Sequence, residues 1–455
     1  MKKTARWIVI GALFALTILP LYVANTMFFP FITGKGFVFR ILVEIAFVAW
    51  IALAILDARY RPRFSWTLGI FSLFTLWIFI SDLFAINAHK ALWSNFERMD
   101  GFVTLIHVFL FFVVAGAVLA KGDLWRKWWW TFISVSGLVC GYGLLQLAGG
   151  LAIHQSGTRL DASFGNSIYL AGYLLFAVAV TTWLALTTKS WTRYSLFALV
   201  ALQTLILFNT ATRGAIVAYV VTAALVIFLF MVRAGKHTRR VAGGLLIALL
   251  VVISGFLLVK DSAMVQESPV LSRIASISLK EMQVRFTLWD MAVDAVKDRP
   301  LTGFGQEGFN YVFNQEYRPS LYAQEPWFDR AHSAYVDWLV AGGVPAFLLF
   351  IMLLGYAFVA LYRTPHLTTS ERILFTGALV AYALQAIVVF DNLFSYIPLA
   401  AVLAYLHSRT SRPIQALEKL PQAKSPHATA IVMAGALVAG IFLVFQVNVP
   451  HMKAA

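Results

Sequence analysis

The feature that most constrains this chain is the return, from its first residues nearly to its last, of apolar segments long enough to cross a bilayer. They fall at about 5–25, 37–58, 65–86, 102–120, 126–148, 167–187, 193–209, 213–232, 241–260, 335–361, 372–390, 393–408 and 428–447. A hydrocarbon core of roughly 30 Å takes about 20 apolar residues in a helix. The runs therefore predict an all-α integral membrane protein with about 12–13 transmembrane helices, forming one polytopic domain over residues 1–455. Only 13% of the 455 residues are charged, and the mean hydropathy is +0.78, outside the balance of a soluble domain.

A formal charge of +15 would suit a nucleic-acid partner, but the placement of the charge argues otherwise. With the N-terminus inside, Arg59, Arg61 and Arg63, then Lys121, Arg126 and Lys127, Lys189 and Arg193, Arg233 to Arg240, Arg363 and Arg372, and Arg409 to Lys424 fall in inner loops. The short outer loops hold only Lys35, Lys90, Arg98, Arg159 and Arg213. That asymmetry is the orientation signal of a cytoplasmic membrane protein, so no nucleic-acid role is expected. The same threading puts one large polar segment, residues 261–334, outside, between the ninth and tenth helices. The first segment, Trp7 to Val23, resembles a signal peptide but has no small-residue cleavage site, and is expected to be a retained helix. A single cysteine, Cys140, allows no disulfide within the chain and no thiolate metal site.

Polar residues at outer helix ends are where chemistry is expected, because a charge near hydrocarbon is seldom kept without a partner or a task. Asn209 to Gly214 lies between two apolar runs so close that the turn sits at the membrane surface. Arg213 there offers planar donors matched to phosphate oxygens, or else it snorkels or pairs with a carboxylate. Gly214 permits close approach of a backbone or ligand. In the long loop, Arg285 opens a stretch with Phe286, Trp289 and Val293 at helical spacing, which predicts an amphipathic helix lying on the membrane. The turn Gly303 to Phe309 follows. It mimics a dinucleotide fingerprint, but no strand precedes it and it lies outside, so that reading is rejected. His332, just before the tenth helix, has the pKa range of a general base, although a surface histidine is the plainer reading. Asn166, Glu97 to Gly101 and Asp391-Asn392 each open a helix on the outer side, where capping is the default explanation. Arg40 and Glu44, four apart, are expected to pair within the membrane.

Taken in order, these marks resemble the O-antigen ligase and polymerase superfamily of bacterial membrane glycosyltransferases. The marks are Phe164-Gly165-Asn166 with Tyr169 to Tyr173; Thr212-Arg213-Gly214-Ala215; Arg285 with Trp289; Pro300 to Gly305; and His332-Ser333-Ala334-Tyr335 with Gly342-Gly343-Val344-Pro345. Two departures stand out: His332-Ser333 where the family usually has His-Asn, and Asn166-Ser167-Ile168 where it often has Asn-Pro-Asn.

The resemblance implies a GT-C-like helical fold in the bacterial inner membrane. It implies inverting, metal-independent transfer of a glycan from a polyprenyl (undecaprenyl) diphosphate, with no cofactor, in lipopolysaccharide or other cell-envelope polysaccharide biosynthesis. The acceptor is a glycolipid, a glycan or a protein, so ligase, repeat-unit polymerase and protein O-oligosaccharyltransferase all remain open. His332, Arg213 and Arg285 are then catalytic, and Asn166, Tyr169, Arg98, Asp391, Gly303 and Gly305 bind substrate. From another class, a flippase would use the same arginines without chemistry, but it predicts mid-membrane ionisable residues along a path, and Arg40 and Glu44 are the main ones present.

Overall fold

The computed structural model describes residues 2–154, 157–277, 282–324, 327–423 and 425–455. Each of the thirteen expected segments meets a helix: α1 (Lys2–Leu21), α2 (Thr33–Leu56), α3 (Trp66–Leu83), α4 (Phe102–Val118), α5 (Leu124–Leu147), α6 (Ser167–Thr187), α7 (Thr192–Asn209), α8 (Arg213–Arg233) and α9 (Lys236–Val259), then, after a loop helix α10 (Gln283–Val296), α11 (Ala334–Arg363), α12 (Thr369–Val388), α13 (Leu393–Thr410) and α14 (Pro426–Ala454). Eleven of these are long and apolar enough to cross a membrane. The other two are α4, of 17 residues, and α13, of 18. The protein is an all-α integral membrane protein; among the described residues the only strands are Arg63–Phe64 and Arg412–Pro413, paired antiparallel.

Helix ends follow local side-chain chemistry. Asn166 accepts from the Ile168 N–H, and Thr368 with Glu371 forms a capping box, as does Asn392 with Ser395. The centre of the bundle is α6 and α13, buried on almost every face, with α12 and α4 against them. Helices α9 and α14 lie at the margin, where Leu245, Val252 and Leu258, or Val438 and Phe442, are bare. In a bilayer those faces meet acyl chains, which solvate leucine as well as a protein core does.

The connections gather at two ends. At one, Arg63 donates to the Ser411 carbonyl and Arg61 to the carbonyls of Leu417 and Leu420. At the other, the 261–334 segment meets the bundle: the Gln306 N–H donates to Asp82, Arg98 pairs with Asp329, and the Ala334 N–H donates to the Val389 carbonyl.

The expected Arg40–Glu44 pair is not made. Arg40 donates to Thr104 Oγ1 at 2.8 Å, while Glu44 accepts from His107 Nε2 at 3.0 Å and from Asn448 Nδ2 at 2.9 Å. Spacing along one helix put the two residues on one face, but α4 and α14 offered each a nearer partner. A π-helical turn over Val444–Asn448 brings Asn448 to Glu44, so the last helix docks on α2.

The long loop has its own small core, in which Leu288, Met291, Ala292 and Ala295 of α10 pack against Phe304, Phe313 and Phe328. The helix predicted from Phe286, Trp289 and Val293 is therefore present, but it buries the adjacent stripe and leaves Phe286 and Val293 exposed. Both stripes are apolar, and periodicity alone does not tell a protein core from a lipid surface.

Helix α11 is 30 residues long, more than a crossing needs, and is broken at Gly342 (φ −138°) and Gly343 (φ +65°). The break frees backbone groups that must be satisfied within the protein. The Phe304 N–H takes the Val340 carbonyl at 2.7 Å, the Gly305 N–H that of Ala341 at 3.0 Å, and Trp77 Nε1 that of Gly342 at 2.8 Å, while the Val344 N–H donates to Pro300. A Cβ on Gly303 would strike the Val340 carbonyl, and one on Gly343 the Pro300 carbonyl. Gly303 and Gly305 thus clasp the loop onto α11.

Candidate active site

A cavity of about 540 Å³ opens between α8, α12, α10 and the turn before α11. Its floor is apolar, with Val217, Val221, Leu288, Leu384 and Val388, and its rim carries Arg159, Arg213, Arg273, Arg285 and His332. Among the described residues no carboxylate lines it.

The rim is built around one turn. Thr210 to Thr212 joins α7 to α8, with Ala211 in the left-handed region (φ +47°), so its carbonyls face outward. Arg159 Nε takes the Thr210 carbonyl and its terminal nitrogen Thr212 Oγ1, both at 3.1 Å; Arg273 Nε takes the Ala211 carbonyl at 3.1 Å. Arg213, the first residue of α8, donates to the Arg273 carbonyl at 2.9 Å and to Ser276 Oγ at 2.8 Å. Gly214 follows, with Val388 of α12 where a Cβ would stand. Arg285 reaches the cavity from α10, touching Met282 Sδ at 3.6 Å. Among the described residues, none of Arg159, Arg273 and Arg285 has a carboxylate within ion-pair distance. Burial, with the charges of Arg273 and Arg213 beside it, pushes Arg159 down to about 10, and burial lowers Arg285. Four like charges gathered at the N-terminus of a helix form a site for an anion with several oxygens, which guanidinium groups bind bidentately.

His332 stands across from them at φ +56°. Its ring lies edge-on between Phe328 and Phe390, with centroids 5.6 and 5.7 Å away. Its Nδ1 is 3.2 Å from the Arg330 carbonyl, which can only accept, so Nδ1 carries the proton and Nε2 the free lone pair. Burial and then the nearby Arg285 charge hold its pKa below the ordinary value, so the ring is a neutral acceptor at pH 7.

Of the nine residues expected from the sequence, three line this cavity: Arg213, Arg285 and His332. The other six stand behind or away from it. Arg98 pairs with Asp329 at 2.8 Å, lies 4.9 Å from the Phe390 ring, and is 3.5 Å from the Tyr169 hydroxyl, so Arg98 and Tyr169 brace the ring beside His332. Asn166 caps α6, and Gly303 and Gly305 form the clasp. Asp391, expected to bind substrate, accepts from Tyr382 at 2.9 Å and from Ser395 at 2.7 Å and does not line this cavity. Two rim residues, Arg159 and Arg273, escaped the sequence reading. Each is a lone loop arginine, and only the fold brings them to the Thr210–Thr212 turn.

No curated protein matches the chain. Residues 197–351 match the family model described as O-antigen ligase, a stretch that runs from α7 through the loop to the broken α11 and includes Arg213, Arg273, Arg285 and His332. Over that stretch the chain is similar to the O-antigen ligase family.

Proposed function

We propose that this protein moves a glycan from a polyprenyl (undecaprenyl) diphosphate carrier to an acceptor at the extracytoplasmic face of a bacterial inner membrane, as an O-antigen ligase-like glycosyltransferase. The observation that carries this is the cavity rim, with four guanidinium groups on one side and a neutral imidazole on the other, above an apolar floor open to helix faces. A lipid diphosphate has that same division between anionic head and hydrocarbon. The basic loops at the end away from the cavity favour a cytoplasmic N-terminus and an outer loop at 261–334.

In the reaction the acceptor hydroxyl oxygen attacks the anomeric carbon, and the bond from that carbon to the diphosphate oxygen breaks. The hydroxyl proton passes to Nε2 of His332. The leaving diphosphate gains one negative charge, which Arg213 and Arg285 stabilise in a low-dielectric site, with Arg159 and Arg273 at the rim. Attack from the face opposite the leaving group inverts the anomeric centre. The charge that a divalent cation would supply is carried by guanidinium groups, so transfer proceeds in a chelator.

The test uses the purified protein in proteoliposomes with lipid-linked glycan and candidate glycolipid, glycan and protein acceptors. Transfer that falls to a small, still measurable residue in His332→Ala and Arg213→Ala, with folding intact, is expected. A His332→Ala protein that still moves the lipid across the bilayer, with no covalent product from wild type, would mean transport in place of transfer.

A further inference from the structure

The groups that hold His332 extend away from the cavity into the protein. Arg330, two residues earlier, is buried and meets Asp100 at 2.6 Å and Glu307 beside it. The Ala331 N–H donates to Asp337 Oδ1 at 2.9 Å, and the Ala331 carbonyl accepts from Trp289 Nε1 at 3.0 Å. A left-handed conformation is unfavourable for a residue with a side chain and persists only where its surroundings over-determine it. Here four elements do so: the turn before α4 through Asp100, the glycine-rich turn through Glu307, α10 through Trp289 and α11 through Asp337.

A second observation falls at the same place. A cavity of about 20 Å³ lies beside Arg330, lined by Asp100, Gln306, Asp337, Trp338 and Asp391 among others. Three of its lining residues carry a buried polar atom with no hydrogen-bond partner in the protein. One is a donor, Arg330 Nε, and two are acceptors, Gln306 Oε1 and Asp337 Oδ2. A single water accepts two hydrogen bonds and donates two, and a polar space of that size suits one.

We propose that Asp337 is a positioning residue for the transfer reaction: its Oδ1 fixes the Ala331 N–H, and with it the left-handed turn that aims His332 into the cavity, while its Oδ2 shares one buried water with Arg330 and Gln306. This rests on the reading of His332 as the proton acceptor. Asp337 does not line the substrate cavity and acts through the backbone of its neighbours.

The test compares kcat and donor KM for wild type, Asp337→Ala, Asp337→Asn, Trp289→Phe, His332→Ala and the Asp337→Ala/His332→Ala pair, each as purified, monodisperse protein. A misplacement of the base by about 1 Å costs up to roughly a hundredfold, so Asp337→Ala lowers kcat by about 10- to 100-fold with donor KM little changed. Asp337→Asn keeps an acceptor for the Ala331 N–H and recovers most of the rate. Trp289→Phe, which removes only the other bond to Ala331, gives a smaller loss of the same kind. In the His332→Ala background the Asp337→Ala loss disappears, because groups acting as a unit are not additive. An unchanged kcat in both Asp337→Ala and Trp289→Phe overturns the proposal. So does an Asp337→Ala loss of equal size with and without His332, and where that variant does not fold, Trp289→Phe answers the same question. A His332→Ala enzyme of wild-type kcat refutes the underlying reading instead.

Discussion

Replacing Arg285 by alanine tests the chemistry of the cavity most directly. Its side chain makes a weak bond to Met282 Sδ, and among the described residues it has no carboxylate partner, so its removal leaves little of the fold unpaired. During transfer the diphosphate goes from two negative charges to three, and Arg285 gains one unit of attraction that it lacks in the ground state. For a charge pair about 4 Å apart at an effective dielectric of about 20, that attraction is worth about 4 kcal/mol, an upper bound of roughly a thousandfold. Sharing with Arg213 and the two rim arginines reduces it, so a fall in kcat of about 10²–10³ is expected, the range for losing one donor to a developing oxyanion. Lysine at this position keeps the charge but loses the fork, and recovers only part of the rate. The assay is steady-state transfer in proteoliposomes, with kcat and donor KM separated and the thermal midpoint measured alongside. If Arg285→Ala keeps kcat within about threefold and raises only KM, the side chain binds ground and transition states equally, and its catalytic assignment is wrong.

Transfer should fail in acid: His332 accepts a proton only when neutral, and its pKa lies below the ordinary 6.5, so the midpoint of the acid limb of kcat/KM falls below pH 6.5, a limb that pH–rate profiles will show and that vanishes in His332→Ala. Gly303→Ala and Gly343→Ala each force a left-handed alanine against a carbonyl, at about 1–2 kcal/mol for the backbone alone, and should lower both the thermal midpoint and activity although neither residue lines the cavity. Asn448→Leu removes both hydrogen bonds that α14 gives to Glu44; the expected result is faster proteolysis within α14 at little change in transfer rate. Inorganic pyrophosphate should raise the melting temperature, by mass action worth about 2.7 kcal/mol at a hundred times its Kd, with the rise lost in an Arg159→Ala/Arg213→Ala protein and kept in His332→Ala.

The membrane helices were legible because lipid imposes a length on them, and the run at 393–408 survived even though α13 is an interior helix with little lipid to face. Arg213, Arg285 and His332 were legible as a set only through the family resemblance, and the fold brings all three to one cavity. Arg159 and Arg273 were not, since what makes them part of the rim is the outward-facing carbonyls of Thr210 and Ala211, a tertiary fact. Gly303 and Gly305 carried a signal that was real and misread. Positive φ and close approach did require glycine there, but the close neighbour is the broken backbone of α11 at Gly303 and Ala85 at Gly305, and not a ligand. Arg40 and Glu44 show the same limit from the other side, because spacing on a helix gives shared faces and not the competing partners that neighbouring helices bring.

The two halves of the rim come from different bodies of the fold. Arg159 and Arg213 belong to the bundle, one before α6 and one at the head of α8, whereas Arg285 and His332 are held by the small core that Leu288, Phe313 and Phe328 form within the loop. That core is joined to the bundle by the glycine clasp on α11, by Arg98 with Asp329, and by Arg330 with Asp100 and Glu307. The imidazole and Arg285 therefore keep their spacing whatever the loop does as a unit, while their distance from Arg213 depends on those joints. The cation most exposed to loop motion is Arg273, which sits in the loop yet bonds to the Ala211 carbonyl at the head of α8, and whose own carbonyl accepts from Arg213. An anionic head seated among the four would be attracted to both bodies at once, and that attraction offsets the repulsion that otherwise works to part them. On the proposed reading the charge of such a head would help to hold the two halves of the rim together, while His332 is set by protein contacts alone.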